Sequence, residues 1–181
     1  MDFWVLLILL YIDYGKADLM TKNADNYGPY IVEWEHYDIC RGPKVVNLTV
    51  FTTTLTKQEN DMYRGTLNIT FLDQTKIEEI KMSVYTMKDN VKTLLWNYIV
   101  SKPCQHYSLA TLIDTSLKVK NCVVKKGEYY LDLNLTELMM NYIGNSFFYG
   151  DYIFKVVVTS KKGNIVCLIF DPKFKKKSKN V

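Results

Sequence analysis

From Ile31 onward, apolar side chains recur at every second residue, the spacing that places them on one face of an extended strand. In Thr66 to Phe71, Leu67, Ile69 and Phe71 share one face while Thr66, Asn68 and Thr70 share the other, which reads as a half-buried strand. Ile31 to Cys40, Val45 to Leu55, Ile80 to Met87 and Leu94 to Val100 behave alike, and segments containing Gly42-Pro43, Asp61 and Asp89-Asn90 separate them. Later in the chain Tyr129, Leu131, Leu133 and Leu135 alternate with Tyr130, Asp132 and Asn134. Tyr152 to Thr159 and Ile165 to Phe170 then flank Ser160-Lys161-Lys162-Gly163-Asn164, a hairpin signature. One stretch departs from this period. Leu109, Leu112, Ile113 and Leu117 follow helical spacing behind Ser108, a residue suited to capping, which predicts a short helix. Roughly eight short strands with at most one short helix predict an all-β fold, an antiparallel β-sandwich with one core between two sheets. A chain of 181 residues suits one such domain, and only 8 Gly and 4 Pro exclude collagen-like and low-complexity classes.

The amino terminus obeys a different rule. Phe3 to Ile12 is a continuous apolar run, too short for the roughly 20 residues that span a bilayer but long enough for the core of an export signal. Gly15 and Ala17 place small residues at the positions a signal cleavage needs, so residues 1–17 are expected to be a signal peptide cut after Ala17. Against this, Asp2 stands where such leaders carry positive charge. Residues 18–30 form an N-terminal segment, 31–171 the sandwich, and 172–181 a basic C-terminal tail. In that tail Phe174-Lys175-Lys176-Lys177-Ser178-Lys179 reads as a solvated terminus rather than a lipid contact. No second apolar run follows, so no transmembrane segment is expected, and the protein should be secreted and extracellular.

Export governs the cysteines. Cys40, Cys104, Cys122 and Cys167 form no C-x-x-C pair, and only His36 and His106 could supply imidazole, so two disulfides are expected and a metal site is not. Four cysteines allow three connectivities, and the spacing alone leaves them open. Asn47-Leu48-Thr49, Asn68-Ile69-Thr70 and Asn134-Leu135-Thr136 are glycosylation sequons whose Asn falls on the polar phase of an alternating segment, where a glycan would face solvent.

Chemistry is sparse. No G-x-S-x-G, H-E-x-x-H or G-x-x-x-x-G-K motif occurs, and Cys104-Gln105-His106 is a poor thiol and base because an exported cysteine is normally oxidised. The expectation is a protein that is not an enzyme and needs no cofactor. A formal charge of +4 is too mild to mark a nucleic-acid surface. The informative stretch is Leu138 to Tyr149, far more apolar than ordinary strand connections. Its side chains either plug the end of the core or line and gate an apolar cavity, a use to which adaptable Met and aromatic groups are suited.

Three groups of residues resemble the C-terminal half of the ML-type lipid-recognition superfamily, and in particular its insect members related to the ganglioside-activator proteins. They are Cys122-Val123-Val124-Lys125-Lys126-Gly127-Glu128-Tyr129-Tyr130, Phe148-Tyr149-Gly150-Asp151-Tyr152, and Gly163-Asn164-Ile165-Val166-Cys167. Arg64-Gly65-Thr66-Leu67 and Lys102-Pro103-Cys104 look like that family's middle section, so the resemblance covers roughly Val32 to Phe170. It implies a secreted, Ig-like β-sandwich whose sheets splay to hold lipids or other apolar molecules. It also implies the pairing of Cys40 with Cys167 and of Cys104 with Cys122. The chain departs from the family in carrying Val123 where proline usually follows the inner cysteine, and in having fewer cysteines than better-known members.

Two functions are expected on these grounds. The first is a secreted carrier or recognition protein that holds a hydrophobic small molecule or lipid between its sheets. Leu67, Ile69, Phe71, Ile80, Met82, Val84, Tyr152 and Phe154 would line the cavity, with Met139, Met140, Phe147 and Phe148 at its mouth. The second is an extracellular module that binds a protein partner through an exposed sheet or the apolar loop and has a filled core.

Overall fold

A computed structural model describes residues 26–88 and 91–177. The expected leader 1–17, its cut after Ala17 and the first part of segment 18–30 lie outside the described residues, as do residues 178–181. Eleven strands follow in order: β1 (Tyr27–Ile39), β2 (Thr49–Lys57), β3 (Tyr63–Phe71), β4 (Thr75–Lys76), β5 (Glu79–Lys88), β6 (Val91–Ser101), β7 (Val123–Val124), β8 (Gly127–Asn134), β9 (Ser146–Phe148), β10 (Gly150–Thr159) and β11 (Asn164–Lys176). Helix α1 (Tyr107–Leu117) joins β6 to β7, and α2 (Leu135–Ile143) joins β8 to β9.

The strands form a six-stranded sheet in the order β6-β5-β10-β11-β1-β9, a three-stranded sheet β2-β3-β8 and a small β4-β7 ladder, all paired antiparallel. The fold is thus the expected all-β sandwich, but with two α-helices among the described residues instead of at most one. The second helix begins where the alternation of β8 would have carried Leu135 into the strand. Asn134 caps it, its Oδ1 accepting from the Glu137 N–H at 3.1 Å while its Nδ2 donates to Glu137 Oε2 at 3.3 Å. Leu135 and Met139, one turn apart, turn inward and are buried. Leu135 also explains Gly65 opposite it on β3, because a Cβ there would lie 3.0 Å from Leu135 Cδ1.

The sandwich outruns the span 31–171 at both ends. β1 starts at Tyr27, and β11 continues to Lys176 with Val32 opposite Phe174 and Tyr30 opposite Lys176. Pro172 to Lys176 are therefore paired strand, not tail. The cause is Phe174, which is 2% exposed and packs its ring 4.9 Å from Tyr30 and 4.6 Å from Phe147.

Two apolar clusters occupy the ends of the sandwich. One gathers Leu67, Ile69, Phe71, Ile113, Leu117, Val124 and Val166 beside the Cys104–Cys122 bridge. The other is aromatic, with Tyr30, Trp34, Tyr63, Tyr152, Phe154 and Phe174 around Val84 and Met139. Cys40 bonds Cys167, tying the end of β1 to β11. The connection between β1 and β2 is strapped down by Asn164. Its Nδ2 donates to Lys44 O at 2.7 Å and to Asn47 Oδ1 at 2.9 Å, and its Oδ1 accepts from the Lys44 N–H at 3.0 Å. The fit demands bare backbone on either side, since a Cβ on Gly42 would lie 2.3 Å from Asn164 Oδ1 and one on Gly163 2.5 Å from Val46 O.

The outward face of the large sheet carries exposed ion pairs such as Lys175–Glu33 and Lys173–Glu35, worth little individually. Asp171 is different. It sits opposite the β-bulge between Trp34 and Tyr37, and its Oδ1 is buried without a partner. Desolvation pushes its carboxyl above the ordinary value, while His36 and Lys92 pull it back down and Asp38 and Glu35 add to the rise.

Replacing Asn164 with Ala removes three side-chain hydrogen bonds from a buried site and is expected to cost about 2–3 kcal/mol, read as a lowered urea midpoint at unchanged slope. Asp171 gives a pH signature. Below the usual carboxylate range both states are protonated and the group costs nothing. As pH rises through the raised folded value the unfolded chain ionises first, so stability falls and stays lower above that window. Asp171→Asn is therefore expected to melt higher than the natural protein near pH ~7 and together with it near pH ~3, as followed by circular dichroism.

Candidate functional site

Cross-strand partners share a face, so the registers define what the inner wall of the large sheet is made of. Val158, Ile80, Val166 and Val100 form one row across β10, β5, β11 and β6. Val156, Met82, Leu168 and Tyr98 form the next, followed by Phe154, Val84, Phe170 and Trp96. The inner wall of the small sheet runs Phe51, Ile69 and Tyr129, then Thr53, Leu67 and Leu131, then Leu55, Gly65 and Leu133 across β2, β3 and β8. Both walls are almost wholly apolar.

Their burial is uneven. Val84 and Phe154 are 0% and 2% exposed, yet Trp96 in the same row is 39% exposed and Tyr98 in the next is 55% exposed. On the facing sheet, Leu67 and Ile69 are buried while Tyr129, Leu131 and Leu133 on the adjoining strand are only half-buried. The geometry explains this. The three-stranded sheet packs its β2 edge over β1 and β11, so its β8 edge falls short of β6, and the inner face of β5 and β6 is left without a full cover. An apolar strip is left half-covered between β8 on one side and β5 and β6 on the other, and it is the candidate slot.

Each end of the slot is closed. At one end α1 buries Ile113 and Leu117 against Cys122 and Val124. At the other end stands an aromatic corner, where Phe147 lies 6.4 Å from Trp96, 5.5 Å from Tyr152 and 4.6 Å from Phe174 between ring centroids. That corner is pinned by hydroxyls: Tyr30 donates to Gly144 O at 2.7 Å beyond α2, Tyr149 to Pro29 O at 3.2 Å, and Tyr152 to Phe148 O at 3.3 Å. Burial raises the hydroxyls of Tyr30 and Tyr152 above their usual value. Burial also raises Tyr37, which a hydrogen bond to Thr53 partly offsets.

The residues expected to line the cavity divide accordingly. Leu67, Ile69 and Phe71 on β3, Val84 on β5 and Tyr152 and Phe154 on β10 are packed into the two end clusters. Ile80, Met82 and Phe147 are half-buried at the open flank. Met139 is buried under α2, while Met140 and Phe148 are exposed on the outside of the corner, Phe148 with its ring 4.9 Å from Tyr27. The wall residues that periodicity alone did not single out are Trp96 and Tyr98 on β6 and Tyr129, Leu131 and Leu133 on β8. Their alternation was legible, but their partial exposure depends on how far one sheet reaches over the other.

Outside the slot, a cleft of about 300 Å³ opens beside the Cys104–Cys122 bridge, lined by Lys76, Ile77, Lys102, Gln105 and Asn121. Cys104 is held in that bridge, so Cys104-Gln105-His106 offers no thiol. Among the described residues, no group of three or more His, Cys, Asp or Glu is placed to hold a metal ion, and no helix is long and apolar enough to cross a membrane. Asn47, Asn68 and Asn134 are all exposed.

No family model matches the chain, and no curated protein matches it. Among solved structures, a Niemann-Pick type C2 protein from Japanese carpenter ant aligns with a TM-score of 0.31 at 12% identity, covering 82% of this chain and 96% of that one. A protein from Archaeoglobus fulgidus aligns with a TM-score of 0.21 at 10% identity, covering 72% and 97%. Likenesses this remote carry neither fold nor function, both of which rest on the strands and side chains described above.

Proposed function

We propose that this chain is an exported binding protein that shelters a hydrophobic small molecule or lipid in the slot between its sheets and performs no catalytic step. The observation that carries the reading is the break in burial along one continuous inner wall, from Val84 at 0% to Trp96 at 39% exposure within a single row. Water against such a wall is unfavourable, and an apolar guest displaces it with a gain of roughly 25 cal/mol for each Å² covered. Met82 and the rings of Trp96, Tyr98 and Tyr129 supply adaptable area without demanding polar partners from the guest's hydrocarbon. The mechanism is sequestration and exchange through the flank left open along β5 and β6, with the corner of α2 and β9, which carries Met139, Met140, Phe147 and Phe148, closing one end. Two disulfides, which persist in oxidising compartments, and the exposure of all three sequon asparagines support export and glycosylation.

N-phenylnaphthylamine, an uncharged apolar dye, is expected to brighten on binding the oxidised protein and to be displaced by lipid. Leu131→Trp, which fills the slot from β8, weakens dye binding by about tenfold or more, whereas Tyr130→Asp on the opposite face of the same strand leaves it unchanged. Undiminished binding by a Leu131→Trp protein that melts like the natural one would remove the slot as the site and favour a filled core that docks a protein partner. For export, an asparagine-specific glycosidase should lower the mass of protein recovered from a secreting host; an unaltered mass counts against glycosylation.

A further inference from the structure

A strand at the edge of a sheet carries unpaired backbone N–H and C=O groups, and proteins blunt such edges with charge, proline, bulges or very short strands. Among the described residues, the two larger sheets end in β6 and β9 and in β2 and β8. β9 is three residues long, β2 packs over β1 and β11, and β8 carries Glu128 and Asp132. β6 is 11 residues long and contains no proline, and Lys92, its one charge, lies over the Tyr85 ring at 4.1 Å. Leu94, Leu95, Trp96, Tyr98 and Ile99 are 39% to 55% exposed.

The β5–β6 ladder fixes which edge groups are free. The Lys102 N–H donates to Glu78 O at 2.8 Å, one step past Glu79 opposite Ser101 in the same register, and this bond sets the alternation. Trp96, Tyr98 and Val100 therefore bond back to β5, while Asn97, Ile99 and Ser101 turn their N–H and C=O outward. A bulge at Leu95, between the Val84–Trp96 and Tyr85–Leu94 pairs, ends that regular run and blunts the edge only on its far side.

We propose that β6 pairs antiparallel with β6 of a second copy of this chain about a two-fold axis at Tyr98, joining the two large sheets edge to edge. The run is complementary to itself there. Asn97 and Ile99 exchange both backbone bonds with Ile99 and Asn97 of the second copy, Trp96 stands opposite Val100, and every residue keeps its face. Tyr98 meets its own copy at a position without hydrogen bonds, where cross-strand side chains come closest. Trp96 to Ser101 offers no charge to an acidic or basic partner, and Lys92 stands six residues from Tyr98. The two lysines are thus about 40 Å apart and screened from each other. None of the sequon asparagines, Asn47, Asn68 and Asn134, lies on β5 or β6, so no glycan obstructs the seam. The pairing does not depend on the slot holding a guest.

Sedimentation velocity on the oxidised protein is expected to show a dimer that dissociates at about 10 µM, the weak end suited to an interface one strand wide. Ile99→Pro removes an outward N–H that β5 does not use, so the protein melts as before while the dimer weakens about tenfold or more. Ile99→Lys retains that donor and weakens the dimer likewise by setting two charges across the seam, which keeps the test intact if proline unfolds the strand. Val50→Lys, at an exposed apolar residue of β2, leaves the dimer unchanged. In hydrogen exchange the Asn97 and Ile99 amides slow as the protein is concentrated. A monomer at every concentration up to about 1 mM overturns the proposal and leaves the edge to a protein of another sequence. A dimer that survives in folded Ile99→Lys, or that is lost in Val50→Lys, also overturns it. Equal protection of the Asn97 and Ile99 amides at all dilutions does the same, by showing the edge covered within one chain.

Discussion

A sheet of six strands cannot bury its inner face under a sheet of three. Neighbouring strands stand about 4.8 Å apart, so the narrower layer covers roughly half the width of the wider one. Because β2 packs over β1 and β11, the covered half is the one that holds Trp34, Phe170 and Leu168, and the uncovered half is β5 and β6. The two helices fill only the ends, α1 with Ile113 and Leu117 and α2 with Leu135 and Met139. What lies between them is an apolar wall that the described residues leave partly uncovered, a condition that proteins in water rarely keep without using it.

Leaving that much surface unburied has to be offset elsewhere. The two cross-links close segments separated by 127 and 18 residues, and on the chain-entropy account they stabilise by on the order of 5 and 3 kcal/mol. Cys40–Cys167 lies away from the slot, and Cys104–Cys122 stands at its α1 end. Cys167 shares the outward face with Val157 and Lys81, and Cys104–Cys122 sits behind α1 in the cluster with Val124. Asn164 adds a third fastening, holding the turn around Gly42 and Lys44 to the start of β11. Rigid ends and an open flank are thus compatible, because the covalent and polar fastenings do not depend on what occupies the middle.

Much of this was legible in the chain. Period-two alternation marks β3, β8, β10 and β11 directly, and Gly163-Asn164 marks the hairpin between the last two. The second helix was masked by its own amphipathicity: Leu135 continues the alternation of Leu131 and Leu133, and only Asn134 with Glu137 three residues on announces a cap. The tail misled for a related reason. Lys173 and Lys175 are the outward phase of a strand whose inward phase is Pro172 and Phe174, so a lysine-rich composition concealed an ordinary amphipathic alternation. Reading the residues alone left three cysteine connectivities open, and no local pattern decides among them. The open flank was beyond reach for a deeper reason: whether Trp96 is buried like Val84 is settled by the relative widths of two sheets, a property of no single segment.

The composition of the slot also sets what kind of selectivity it can deliver. Walls of Leu, Met and aromatic groups reward each buried methylene by about 0.8 kcal/mol whatever the rest of the guest looks like, so they favour size and flexibility over identity. Discrimination has to come from groups that cost energy when unmet. Along the inner walls the polar side chains are few, and Thr53 Oγ1 already donates to Thr66 O at 3.0 Å. The hydroxyls at the aromatic corner are met as well, Tyr30 by Gly144 O and Tyr152 by Phe148 O. In a low-dielectric interior an unmet donor weighs more than it does in water. With its polar groups already met, a slot of this composition sorts guests by size and shape rather than by polar readout.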